Sequence, residues 1–382
     1  MKDRVSRAWP ALAARRGDRE APATVHWLVR PWLYGIAALI FAVLVVGGAT
    51  RLTGSGLSIT EWQPIMGIVP PLSEQDWQTA FAKYKQIPQY REINRGMSLA
   101  AFKQIFWWEW LHRFLARMIG FAFAIPLAIF WLRRHIDSGL ALKLLAILAL
   151  GGLQGFIGWI MVASGLVDRT SVSHYRLTIH LGLAILILGL VFLMARSMSA
   201  PEGSTCRSSV AFRRSAYGLA GVVYLQILLG ALVAGLHAGL SHNTWPLMDG
   251  RLIPNGLGVM SPWYVNLFEN VLTVQFNHRM LAYILVIWAS VHFYLSLTTS
   301  QGERIRFGAG ALVAALLLQV VVGIYTLITF VPVMLALLHQ ATAVFVLLVA
   351  FSHAQDCWLY RHGEAARQAA GERDGEAVVT IR

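Results

Sequence analysis

Charge and cysteine are what this sequence has least of. Only 13% of its 382 residues are Asp, Glu, Lys or Arg, against 57% that are apolar. That much apolar surface cannot be hidden in a soluble core of this size, so a water-soluble globular protein is excluded and the excess must face lipid. The two cysteines, Cys206 and Cys357, are too few for a disulfide scaffold or a thiolate metal site. Closely spaced His and carboxylate pairs of the zinc type are missing. Thr53-Gly54-Ser55-Gly56 lacks the Gly-Lys-Ser/Thr that would make it a phosphate loop. The basic first thirty residues hold no cleavable apolar stretch, so the first apolar span is expected to serve as the anchor.

What is present is a series of apolar runs long enough to cross a bilayer. They lie near Pro31 to Val46, Leu111 to Leu132, Ala141 to Ala163, Arg176 to Met194, Phe212 to Leu236, Val274 to Leu297, Phe307 to Ile328 and Val333 to His353. The expected fold class is therefore an all-α integral membrane protein with eight transmembrane helices. The net charge of +13 does not point to nucleic acid, because the basic residues cluster by loop. Lys2 to Arg30, Arg133 with Arg134 and Lys143, Arg196 to Arg214, Arg304 with Arg306, and Arg361 to Arg382 alternate with less basic loops. Both termini are thus expected in the cytoplasm, and both cysteines on the reducing face. The protein is expected in a bacterial inner membrane, or a mitochondrial one if the source is eukaryotic.

The chain divides into a basic segment 1–30, a four-helix half 31–196 with a long outer loop 49–110, a linker 197–211, a second half 212–355 and a tail 356–382. With four helices per half, a repeat would be parallel, about an axis along the membrane normal. Two resemblances support it. Leu111-His112-Arg113 in the second span is similar to Asn277-His278-Arg279 in the sixth, and Ile179-His180 in the fourth to Leu338-His339 in the eighth. Within the outer loop, Ser73 to Gln86 begins with a Ser-x-x-Asp cap and spaces Trp77, Phe81 and Tyr84 helically, which predicts an amphipathic helix on the membrane surface. Trp107, Trp108 and Trp110 read as an interfacial belt.

Each even-numbered span runs inward and carries one histidine near its start: His112, His180, His278 and His339. An ionisable group at that depth is costly unless it faces the bundle interior with a partner. Four matched positions favour ligation over four separate hydrogen-bonded histidines. Two imidazoles from different helices suit the axial positions of a haem. The pairs His112 with His180 and His278 with His339 are 68 and 61 residues apart. Arg113 and Arg279 stand where a cation would meet haem propionates, or would snorkel to the headgroups. Glu109 lies one turn before His112, whereas Gln275 holds the equivalent place before His278. A carboxylate in one half and an amide in the other suggest a reactive site and an electron-transfer site. An ion pair of Glu109 with Arg113 is the alternative.

Further along, Gly47-Gly48-Ala-Thr-Arg51-Leu-Thr-Gly-Ser-Gly56, Glu61-Trp-Gln-Pro, Pro70-Pro71, Trp107-Trp108-Glu109-Trp110-Leu111-His112-Arg113, Pro246-Leu-Met-Asp-Gly250 and Gln275-Phe-Asn-His278-Arg279 together resemble the haem A synthase family. The likeness runs from about Trp32 to His353. It implies a haem-dependent oxidoreductase that oxidises the C8 methyl of haem O to the formyl of haem A through hydroxylated intermediates, supplying cytochrome c oxidase. It implies a haem b cofactor on His278 and His339, the substrate haem at His112 and His180, and Glu109 as the catalytic residue. Haem O synthase and oxidase assembly factors are implied as partners, and homo-oligomerisation is left open. Some members carry a cysteine pair in the first outer loop. None stands between Arg51 and Glu109 here.

Two other readings remain. His278 and His292, like His339 and His353, are fourteen residues apart, about 21 Å along one helical face. A b-type cytochrome with a second, inner haem would use that spacing. A proton-coupled transporter would instead use Glu109 and the histidines as a relay, and predicts helices broken at mid-membrane.

Overall fold

The computed structural model describes residues 25–63, 66–198 and 208–379, with side chains as far as 359. The basic residues from Lys2 to Arg19, Cys206 and Arg207 in the linker, and Arg382 lie outside what it describes, as do the side chains of Arg361, Arg367 and Arg373 in the tail. Within it, ten α-helices form, and no β-strand appears among the described residues. Eight of the helices are long and apolar enough to span a membrane. These are α1 (Val29–Leu52), α4 (Leu99–Leu132), α5 (Ser138–Ala163), α6 (His174–Ser197), α7 (Val210–Gly235), α8 (Val271–Thr298), α9 (Glu303–Ile328) and the first part of α10 (Val333–Val379). Two short helices, α2 (Glu74–Tyr84) and α3 (Pro88–Glu92), lie between α1 and α4.

The eight spans are apolar on all sides, because one face meets lipid and the other the bundle. None is interrupted, which removes the structural premise of the transporter reading. Four of their starts are set by side chains that accept backbone N–H groups otherwise left orphaned. Ser98 accepts from Ala101, Asp137 from Leu140, Ser209 from Phe212, and Asn270 from Leu272 and Thr273. The Ser98 cap corrects one boundary: α4 begins twelve residues before the expected Leu111, so the last part of the anticipated loop 49–110 is helix.

That early start makes a platform for α2. Ser73 and Asp76 form a reciprocal capping box at the start of α2, and those bonds hold the Asp76 carboxyl below the usual carboxylate range. Trp77, Phe81 and Tyr84 are buried, as the periodicity predicts, but their partner is protein. The Trp77 ring meets Phe106 edge-on and Phe81 stacks on Phe102, each at 4.9 Å. The expectation that this helix lies on lipid is thereby corrected, since the outward extension of α4 offers an aromatic face closer at hand. Trp107 and Trp108 stay 43% and 40% exposed, as a belt requires, whereas Trp110 is half-buried and stacks on Phe114.

The spans close into two rings. In the first, α1 packs on α4, α4 on α5, α5 on α6 and α6 on α1. In the second, α7 packs on α8, α8 on α9, α9 on α10 and α10 on α7, in the same cyclic order. The rings meet along α6 with α7, α1 with α10, and α6 with α10. Leu33, Ile36, Leu127, Ile185, Leu188, Leu219, Leu285, Leu312 and Leu347 form one continuous core through both. Polar bonds also cross the seam. Gln340 donates to the Leu44 carbonyl at 2.7 Å and Gln355 to that of Leu193 at 3.0 Å. Asp356, buried, is paired with Arg196 at 2.7 Å and Arg304 at 2.9 Å.

Replacing the fully buried Phe102 with Ala should cost the α2 cap about 3–5 kcal/mol. The expected result is faster proteolysis within residues 53–98 at unchanged total helix content. Unchanged cleavage would mean that the cap does not depend on α4.

Candidate functional site

His112 is on α4, His180 on α6, His278 on α8 and His339 on α10. In each ring of four the two histidine-bearing helices are opposite one another, separated by the helices they both touch. The predicted pairs are thus brought to face across an interior rather than along a seam. All four side chains are half-buried, so each ring keeps surface for a further partner.

The neighbouring helix seats each ring against a glycine. A Cβ built on Gly47 would come within 3.0 Å of His112, and one on Gly158, Gly230 or Gly323 within 2.8, 3.1 or 2.7 Å of His180, His278 or His339. Any side chain at these positions would occupy the ring's place. One turn before three of these glycines stands a glutamine. Gln154 donates to the His180 backbone carbonyl at 3.0 Å, and its amide nitrogen is 3.0 Å from Nδ1. Gln226 stands in the same relation to His278, at 2.9 and 3.1 Å, and Gln319 to His339, at 3.0 and 3.1 Å. The sequence reading missed these glutamines. Their signal was present as a Gln-x-x-x-Gly repeat on α5, α7 and α9, legible only once the histidines are known to pack there.

The acidic and basic residues next to the histidines bond the loops that cover them. Glu109 is 2% exposed and accepts from the Ser58 hydroxyl at 2.8 Å, the Ile59 backbone N–H at 2.7 Å and Arg113 at 2.5 Å. Arg113 also donates to the carbonyls of Ile59 at 2.7 Å and Glu61 at 3.0 Å. The other half repeats this with an amide. Gln275 donates to the Ala238 carbonyl at 2.8 Å and accepts from Arg279 at 3.2 Å, while Arg279 donates to His242 and Thr244 carbonyls at 2.6 and 2.9 Å. Each arginine therefore ties the loop after the first helix of its ring to the histidine helix. The ion pair of Glu109 with Arg113 is present, and it is part of this clamp.

The family described as Cytochrome oxidase assembly protein matches residues 30–351 of the chain. A relative from Brucella anthropi named Heme A synthase is 52% identical over 326 residues, 85% of this chain and 91% of its own length. Those from Brucella ovis and Brucella abortus, named likewise, are 51% identical over 338 residues, 88% of this chain and 92% of theirs. The chain belongs to the haem A synthase family.

Membership in that family makes haem the group to test against these residues. The donor set fits it: paired imidazoles on opposed helices, each ring admitted by a glycine. The Oε1 atoms of Gln154 and Gln226 are buried without a partner, while their Nε2 atoms face Nδ1. At the other end of α8 and α10 the arrangement differs. His292 and His353, each 1% exposed, bond to one another Nε2 to Nε2 at 2.8 Å, and His292 also meets the Ser215 hydroxyl at 2.9 Å. An iron between two imidazoles needs two bonds of roughly 2 Å each, so touching nitrogens do not bracket a second haem in this member of the haem A synthase family. Replacing His292 and His353 together with Asn should therefore leave the haem content of the purified protein unchanged. A fall of about one haem per chain in a pyridine haemochrome titration would restore the inner site.

Proposed function

We propose that the chain is a haem A synthase of a bacterial inner membrane that oxidises the C8 methyl of haem O to a formyl group through hydroxylated intermediates. In this reading the C-terminal ring holds a haem b on His278 and His339, and the N-terminal ring receives the substrate haem at His112 and His180. A bound haem b supplies one-electron redox chemistry. The protein's own part is to seat four imidazoles, exclude water between the rings, and hold one carboxylate beside the substrate position.

The observation that carries this reading is the exchange of Glu109 for Gln275 within one repeated clamp. In the C-terminal ring an amide suffices to hold the loop and its arginine. The carboxylate of the N-terminal ring is thus not required for that task. Lying one turn from His112, it stands where the edge of a porphyrin bound through His112 would extend. Converting a methyl to a formyl removes protons as well as electrons. A base, or a negative charge beside a developing cation, lowers that barrier. The donors from Ser58, Ile59 and Arg113 fix the direction in which Glu109 presents its oxygens.

Glu109→Gln reproduces in the first ring the amide of the second. The expected outcome is normal folding and haem b content, with haem A falling sharply and haem O or a hydroxylated intermediate accumulating. Haem A output at the wild-type level, at equal expression, would leave Glu109 as part of the clamp alone. For the C-terminal pair, His278→Met should keep a six-coordinate haem of shifted potential, because the axial ligand tunes the iron. An unchanged haem b spectrum and full haem A output from His278→Ala would overturn the assignment of that pair.

A further inference from the structure

Three of the four histidine seats have a glutamine support and one does not. Gln154, Gln226 and Gln319 each stand four residues before the glycine that admits the ring. The same register before Gly47 holds Val43, half-buried as the three glutamines are, and valine offers no hydrogen bond. The rings differ accordingly. At Gly158, Gly230 and Gly323 the nearest ring atom is Cε1, and Nε2 is the farthest of the three closest, at 3.6, 3.9 and 3.6 Å. At Gly47 the order is reversed: Nε2 of His112 is nearest, at 3.0 Å, so it is turned towards α1.

We propose that Gln154, Gln226 and Gln319 are positioning residues that hold three histidines in ligating orientation, and that Val43 leaves His112 as the releasable ligand of the substrate-side pair. This rests on the reading that the two pairs bind haem. An imidazole that binds iron through Nε2 carries its proton on Nδ1, and an acceptor for that proton fixes the ring and strengthens the ligand. Turning the Gln154 or Gln226 amide half-way about its last bond gives up its bond to the histidine carbonyl and exchanges Nε2 for the unpartnered Oε1, which then faces Nδ1 at about 3 Å and accepts its proton. At the third seat Oε1 of Gln319 accepts from the Thr342 hydroxyl, so the amide is fixed with Nε2 towards His339 and seats the ring through its bond to the His339 carbonyl rather than by accepting the Nδ1 proton. His112 has no such neighbour. To ligate, it must swing Nε2 away from Gly47, and no side chain on α1 keeps it there. One axial position of the substrate haem is thus firmly held by His180, while the other can be vacated on the helix that also bears Glu109.

Carbon monoxide reports this directly, since it binds ferrous haem only where an axial position is open or easily vacated. The protein used is full-length, detergent-purified, loaded with haemin and reduced with dithionite. The wild type should show one CO-reactive haem and one inert haem. Gln226→Leu should raise CO binding at the inert haem roughly tenfold, the scale on which ligand-supporting residues act. Gln226→Glu, which keeps an acceptor, should restore inertness. Val43→Gln should lower CO binding at the reactive haem by a similar factor. Unchanged CO binding in Gln226→Leu at full haem content overturns the positioning role, as does a wild type whose two haems react alike. A wild type that takes up no haem overturns the haem reading itself. If Val43→Gln fails to fold, the two Gln226 variants decide the question.

Discussion

Within hydrocarbon a polar side chain can find hydrogen bonds only from the protein, and an unmet one is costly. That requirement organises this bundle. Its glutamines, histidines and arginines do not scatter over the spans. Most of those described meet one another or backbone oxygens of a neighbouring helix or covering loop. Arg113 and Arg279 are spent on carbonyls of the loops that cover their own rings. Gln340 and Gln355 are spent on carbonyls of the other half. Each such bond converts a liability into a fixed distance between two helices, and the histidine positions follow from those distances.

The two rings show how little need change for two halves of one scaffold to diverge. Helix order, glycine seats and the arginine clamp are common to both. Within these shared features the differences are single side chains. One is the carboxylate of Glu109 against the amide of Gln275, almost equal in size. Another is Val43, where the other seats have glutamine. Such exchanges alter charge and ring support while keeping the packing that a membrane bundle depends on.

Spans and histidines were legible in the sequence because each leaves a local mark: twenty apolar residues, or an ionisable one among them. Pairing was legible from the spacing repeated between halves. The Ser73 cap and the buried stripe of Trp77, Phe81 and Tyr84 were read correctly as a helix, but what covers them was not. An apolar face looks the same whether lipid or Phe102 and Phe106 lies opposite. The glutamine supports were invisible for a related reason. Gln154 is 26 residues from His180 and Gln226 is 52 from His278, so only the folded ring brings them together. The clamp role of Arg113 escaped likewise, because Ile59 and Glu61 contribute only backbone oxygens, which every residue has.

The glutamine and its glycine act as one unit because four residues make nearly one helical turn. A residue inserted between Gln154 and Gly158 would rotate one against the other by about 100°. The amide would then leave its histidine, or the seat would close on the ring. The same insertion between the exposed Leu252 and Ile253 would only lengthen a connection. Tolerance to insertion and deletion is thus divided sharply along this chain. It is concentrated in the loops and nearly absent from single turns of α5, α7 and α9, so that the lineage can lengthen its covering segments while the turns beneath keep their count.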